Sequence, residues 1–143
     1  MSASNILAAV YSWLAADTGT GGFAHATTGI GSNLFHLSGP EDTSLPVCVY
    51  TLAPAAGRVK NADGTYAEKW AMSFSIWVSA ESSDDAAALG LDAKLYARMN
   101  NQTLSATNYD RLRVICTRPG FAQIDEDTIR VDSEYEIRGQ LVS

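Results

Sequence analysis

The sequence predicts an α+β fold: an antiparallel sheet of about four to five strands, two α-helices packed on one face of it, and a projecting β-hairpin. Three observations predict it. Residues 70–80 alternate with period two, placing Trp70, Met72, Phe74, Ile76 and Val78 on one side and Ala71, Ser73 and Ser75 on the other, with Trp77 breaking the polar set. The period then becomes helical over residues 86–99, where Ala88, Leu91, Leu95 and Met99 stack on one face. Alternation returns in residues 109–117 and 128–142, the pattern of antiparallel strands with one face to a core and one to water.

The first element is a helix over residues 4–17, with Ser4 as its N-cap and Ile6, Val10, Trp13 and Leu14 on one face. Its other face carries alanines, Asn5 and Ser12, so it is amphipathic but almost uncharged. Residues 18–45 hold Gly19, Gly21, Gly22, Gly29, Gly31, Gly39 and Pro40 and read as a long irregular surface segment with one short strand at 33–37. Residues 45–52 are the next strand, with Pro46 at its start.

Residues 54–66 link this strand to the one at 70–80. Asp63-Gly64 is a type I′ turn signal, giving a hairpin whose tip carries Arg58 and Lys60 beyond the core. That tip reads either as a contact arm for a neighbouring subunit or as a solvated loop. Ser82 to Asp85 is spaced as a capping box ahead of the second helix. A polar break at 100–103 follows it, and Arg118-Pro119-Gly120 reads as a turn between the last two strands.

The chain has 143 residues, most simply one domain spanning 1–143. Hydrophobic residues make up 46% and charged residues 18%, a balance that builds a core rather than a disordered chain. No apolar run is long enough to span a bilayer, and no basic residue precedes the first apolar stretch, so neither a membrane segment nor a secretory signal is expected. Cys48 and Cys116 belong to no CxxC pair and read as reduced core residues of a protein made in the cytosol; the sequence leaves a disulfide between them open. The net charge is −6, with no Lys or Arg before Arg58 and no basic run. Such a chain is poorly suited to gripping a phosphate backbone, though it can surround DNA without binding it.

No catalytic constellation stands out. His25 and His36 lie near glycines without HxH, HxxxH or nearby Cys spacing, so neither a metal nor a cofactor is expected. Glu134 and Glu136 are two apart on one strand face, but Arg130 and Arg138 flank them, the mark of a solvated charged surface rather than an acid–base pair. Neither a phosphate-loop pattern nor GxSxG is present. The informative anomalies are apolar. The second helix carries another stripe, Leu89, Ala93 and Tyr96, and Trp77 points to the polar side of its strand. With the hairpin residues Arg58, Val59 and Lys60, these are the candidate subunit-interface residues of a homo-oligomer.

The order of elements resembles the tail-terminator, or tail-completion, proteins of long-tailed bacteriophages. The resemblance is carried by the N-terminal amphipathic helix, by Leu45-Pro46-Val47-Cys48-Val49-Tyr50 as a proline-led strand, and by Phe74-Ser75-Ile76-Trp77-Val78-Ser79-Ala80 leading through Asp84-Asp85-Ala86 into a helix. A closing strand over 134–141 completes it. The resemblance implies a structural, non-enzymatic virion protein that forms a ring, commonly a hexamer, on the end of the tail tube. It implies contacts with the tail tube protein and the head connector or stopper protein, with DNA passing through the centre without specific binding. It places the protein in the tail or neck of the virion, and in the host cytoplasm during assembly. In that setting Asp132, Glu134 and Glu136 are candidate lumen-lining residues, whose carboxylates would repel phosphates and let DNA slide. Other readings of the residues are another neck or connector protein, a small cytosolic α+β binding module or accessory subunit, and a small enzyme acting through His25 or His36.

Overall fold

A computed structural model of the chain describes residues 2–37, 45–60, 62, 66–79, 86–125 and 127–141, with the side chains of residues 2, 3, 55–59 and 125 left aside. Helix α1 (Ser2–Ala15) is followed by β1 (Leu34–His36), β2 (Val47–Lys60), β3 (Tyr66–Ser79), helix α2 (Ala86–Met99), β4 (Gln102–Ala106), β5 (Tyr109–Asp125) and β6 (Thr128–Leu141). The strands form one six-stranded sheet in the order β1-β2-β3-β6-β5-β4. The α+β class holds, but the sheet has more strands than expected and is mixed, because β1 runs parallel to β2 while every other neighbour is antiparallel.

The central pair of the sheet is β3 and β6. Met72, Phe74, Ile76 and Val78 of β3 and Ile129, Val131, Tyr135 and Ile137 of β6 are all buried, so β6 alternates between core and outside along its length and β3 does so from Met72 onward. An aromatic series crosses four strands: His36 stacks on Tyr50 at 5.4 Å, Tyr50 meets Phe74 at 6.0 Å, and Phe74 meets Tyr135 edge-on at 5.5 Å. Helix α2 crosses β3, β6 and β5 on the core face with Ala88, Leu91, Leu95 and Met99 turned inward, as its spacing predicts. Helix α1 lies along β4 and inserts Ile6, Val10 and Leu14.

A reciprocal clasp joins the two helices. Trp13 Nε1–H donates to the Arg98 carbonyl (2.7 Å), Arg98 Nε and Nη2 donate to the Trp13 carbonyl (2.9 and 2.7 Å), and the guanidinium lies 3.7 Å from the Trp13 ring centre.

Several expectations are corrected. Helix α1 begins at Ser2, so Ser4 lies in its first turn rather than at its cap. The glycine-rich segment is not wholly at the surface: among its described residues Phe23, Ala24, Ile30 and Leu34 are buried in the core, while Thr18–Gly21 and Ala26–Thr28 stay exposed. Asp17 holds it there, its Oδ2 accepting the Phe23 N–H (2.9 Å) and its carbonyl the Ala24 N–H (3.0 Å). A Cβ on Gly22 would come within 2.3 Å of that carbonyl oxygen, so only glycine lets the chain pass.

Arg118-Pro119-Gly120 is no turn either; it is a bulged stretch inside β5, with register shifts at Cys116/Arg118 and Arg118/Phe121. The polar break hides β4, an edge strand with Leu104 as its one buried side chain. The hairpin does not stand apart from the sheet. Strands β2 and β3 pair from Val47↔Trp77 to Lys60↔Tyr66 with one register shift between Pro54 and Gly57, and β6 runs beside β3 as far as Ala67. The Asp63-Gly64 turn and the Ser82–Asp85 cap lie outside the described residues. Cys48 and Cys116 are free thiols on strands separated by β3 and β6.

Candidate functional site: two open faces

With both helices on one face of the sheet, two surfaces stand open among the described residues: the outward side of α2 and the opposite face of the sheet. On α2, Leu89 and Tyr96 are exposed large hydrophobics and Ala93 is exposed beside them, as the second stripe predicts. Shallow grooves flank the helix. One of about 570 Å³ lies between the Asp17–Gly22 region and Gly90, Ala93, Lys94, Ala97 and Arg98. Another of about 620 Å³ lies between Thr27, Thr28, Leu45 and Pro46 and the Ala86, Gly90 and Lys94 side of the helix; away from α2, a groove of about 530 Å³ separates the small residues of α1, Ala8, Ala9 and Ser12, from β4.

The sheet's outer face gathers the charged residues. In-register neighbours form rows across β3, β6 and β5: Ser75–Asp132–Phe121, Ser73–Glu134–Arg118, Ala71–Glu136–Ile115 and Lys69–Arg138–Arg113. None of the three candidate lumen carboxylates stands alone. Asp132 accepts from Ser75 Oγ (2.6 Å), Gln123 Nε2 (2.9 Å) and Arg130 Nε (3.1 Å). Glu134 lies 3.5 Å from Arg118, and Glu136 lies 3.8 Å from Lys69 and 3.6 Å from Arg138. Trp77 is half-buried on the same face, opposite Val47 and Arg130. Lys60 is exposed at the far end of the β2–β3 hairpin, whereas Arg58 and Val59 are placed only by backbone register, opposite Glu68 and Ala67.

Among the described residues, the histidines make local contacts. His25 Nδ1 accepts the N–H groups of Thr27 (3.3 Å) and Thr28 (3.2 Å), closing a local turn. His36 is spent on the Tyr50 stack. Among the described residues, no group of His, Cys, Asp and Glu is arranged to hold a metal.

One residue escaped the sequence reading. Asp92 is buried on the sheet side of α2, with Oδ2 accepting the Gly120 N–H (3.2 Å) and Oδ1 lacking a partner. Burial pushes its carboxyl above the usual range, opposed by the Ser133 hydroxyl and that N–H. A Cβ on Gly120 would fall 2.4 Å from Asp92 Oδ2 and 2.5 Å from Val131 Cγ1, so the β5 bulge needs glycine there to admit the carboxylate. A charged residue inside the Ala88–Met99 stripe was the available signal.

No protein-family pattern matches the sequence, and no curated protein matches it either. Solved structures do match the fold. A chain from the virion of a native gene transfer agent particle superposes with a TM-score of 0.73 at 20% identity, over 96% of this chain and 96% of that one. A second solved protein, whose name carries no functional description, gives a TM-score of 0.70 at 15% identity, over 100% of this chain and 99% of that one. The whole architecture described above, both helices and the sheet, is therefore a fold shared with a virion component.

Proposed function

We propose that this chain is a non-enzymatic structural protein of a phage-like virion, and that it acts as a tail terminator: a subunit of a ring that caps the tail tube and joins it to the head connector. The observation that carries this reading is the end-to-end likeness to a chain of a gene transfer agent virion. The open α2 stripe and the sheet end at Lys60 support subunit contacts, with Trp77, Leu89, Ala93 and Tyr96 and the register positions Arg58 and Val59 as their residues. A heterologous contact between two different faces closes into a ring when its rotation permits, and six copies is the number proposed. The outer sheet face, with Asp132, Glu134 and Glu136, is proposed to line the channel. Because each of these carboxylates is ion-paired, that wall is of mixed charge rather than uniformly repelling. The tail tube protein and the head connector are the proposed partners.

Light scattering coupled to size-exclusion chromatography, with negative-stain images of the same fractions and of mixtures with tail-tube ends, tests the reading. Closed rings, alone or on tube ends, are the expected result. A monomer that remains free of tube ends would overturn it.

A further inference from the structure

The fold assembles a basic cluster that is invisible in the linear sequence. Lys69, Arg138 and Arg113 come from three different strands and are direct in-register neighbours across β3, β6 and β5. Strands lie about 4.8 Å apart, so three cations stand abreast within about 10 Å. Arg111 follows two residues from Arg113 on the same face, in register with Gln140. Like charges placed directly opposite each other repel, and a sheet has no structural need to align them.

The compensation within the chain is thin. Glu136 is the carboxylate among them, and its contacts to Lys69 and Arg138 are long, 3.8 and 3.6 Å, with Oε1 making no hydrogen bond. Asn101 Oδ1 accepts from Arg113 Nη2 and is neutral. Asp110 is exposed in the adjoining bulge, and Glu68, one residue from Lys69, is occupied on the opposite face by the Tyr109 hydroxyl (2.9 Å). Arg111, Arg113 and Arg138 are exposed. Of the ten Lys and Arg residues in the chain, six lie on this outer face: Lys69, Arg111, Arg113, Arg118, Arg130 and Arg138. They face Asp132, Glu134 and Glu136 and, by backbone register opposite Thr128, Asp125, although the protein as a whole is acidic.

We propose that the Lys69–Arg138–Arg113 row, with Arg111, is a contact for the phosphate backbone of duplex DNA, read by charge and without base specificity. Three of its four cations are arginines, whose planar guanidinium groups match phosphate oxygens in pairs. The groove of about 360 Å³ on this face is lined by Glu134 and Glu136 beside Lys69 and includes none of the three arginines, so the arginine contacts are with the backbone. The choice of DNA over an acidic protein rests on the proposed function, in which this face lines a DNA channel. It also changes the expected role of the wall: the carboxylates weaken the grip enough for DNA to move, and the cation row keeps it centred.

Fluorescence anisotropy of a labelled DNA duplex, titrated with the protein at several salt concentrations, tests this. Three to four phosphate contacts per subunit predict a slope of log affinity against log salt of about −3. Replacing both partners in Arg113→Gln/Arg138→Gln should lower affinity about tenfold or more at about 50 mM salt and bring the slope to between about −1 and −2. Glu136→Gln should tighten binding, an effect no damaged fold would mimic. Unfolding curves verify that each variant remains folded, and light scattering scores assembly separately. Wild-type protein that ignores the duplex at low salt overturns the inference, as does a double variant that binds like wild type. So does preference for a polyglutamate competitor over DNA, which would mark an acidic protein as the occupant. Rings that fail to bind DNA would refute this contact alone, whereas DNA binding by a protein that never forms rings would refute the ring reading alone.

Discussion

Replacing Asp92 by Asn should stabilise the protein, and the gain should depend on pH. Asp92 is 9% exposed, and its Oδ1 has no partner. Leaving a buried polar oxygen unsatisfied costs about 1–3 kcal/mol, and more when it is charged. Asparagine keeps the shape, lets Oδ1 accept the Gly120 N–H, and presents Nδ2 to the neighbouring Ser133 hydroxyl. The expected gain at pH 8 is about 1–2 kcal/mol, or roughly 3–8 °C in Tm for a chain of this length.

The sign follows from the raised folded-state pKa. The protonated form of Asp92 is the one the fold prefers, so its contribution is complete below the ordinary carboxylate range. That contribution is lost as pH rises through the higher folded value. The advantage of Asn should therefore be largest at pH 8 and vanish below about pH 4, where Asp92 is neutral in both states. Thermal unfolding of both proteins at pH 4, 6 and 8 measures it. A variant less stable than wild type at pH 8, or a gain that does not change with pH, would refute the argument that burial of charge is what the site pays for.

Three further outcomes follow from the packing. Arg98→Met removes two hydrogen bonds to the Trp13 carbonyl and the ring contact, and should cost about 1–3 kcal/mol in chemical denaturation. Gly90 sits within α2 with no atom near the position of an added Cβ, so Gly90→Ala should add about 0.5–1 kcal/mol to monomer stability. Because Gly90 also borders two grooves beside the α2 stripe, light scattering on the same variant should show weakened assembly if that face is a contact. Cys48 is fully buried and its thiol is pushed up by that burial, so a thiol reagent should leave it untouched in the native protein while reaching partly exposed Cys116, as peptide mapping would show.

The sequence revealed elements whose periodicity was set by one dominant environment. Strand β3 and helix α2 bury a single face each, so Met72 to Val78 and Ala88 to Met99 could be read directly. It concealed what depends on partners distant along the chain. Strand β4 shows one apolar residue inward, Leu104, and has no period to detect. The β5 bulge looks like a turn because Pro119-Gly120 is a turn pair; it is Asp92, 28 residues earlier, together with Val131 on β6, that explains the glycine. Phe23 and Ile30 looked like loop residues among glycines, and their burial depends on Asp17 anchoring the segment. The open surfaces followed the same division. The α2 stripe of Leu89, Ala93 and Tyr96 is local and was legible. The cation row was not, because Lys69, Arg113 and Arg138 meet only through the β3-β6-β5 register.

The account stands or falls on where this protein sits in an assembled particle. Electron microscopy of particles produced by the genome that encodes it, labelled with an antibody to this chain, locates it directly. Label confined to the junction of head and tail, in a ring of subunits around the channel, is the predicted result. Label spread along the tube or over the head, or particles that carry none of this chain, would contradict the account.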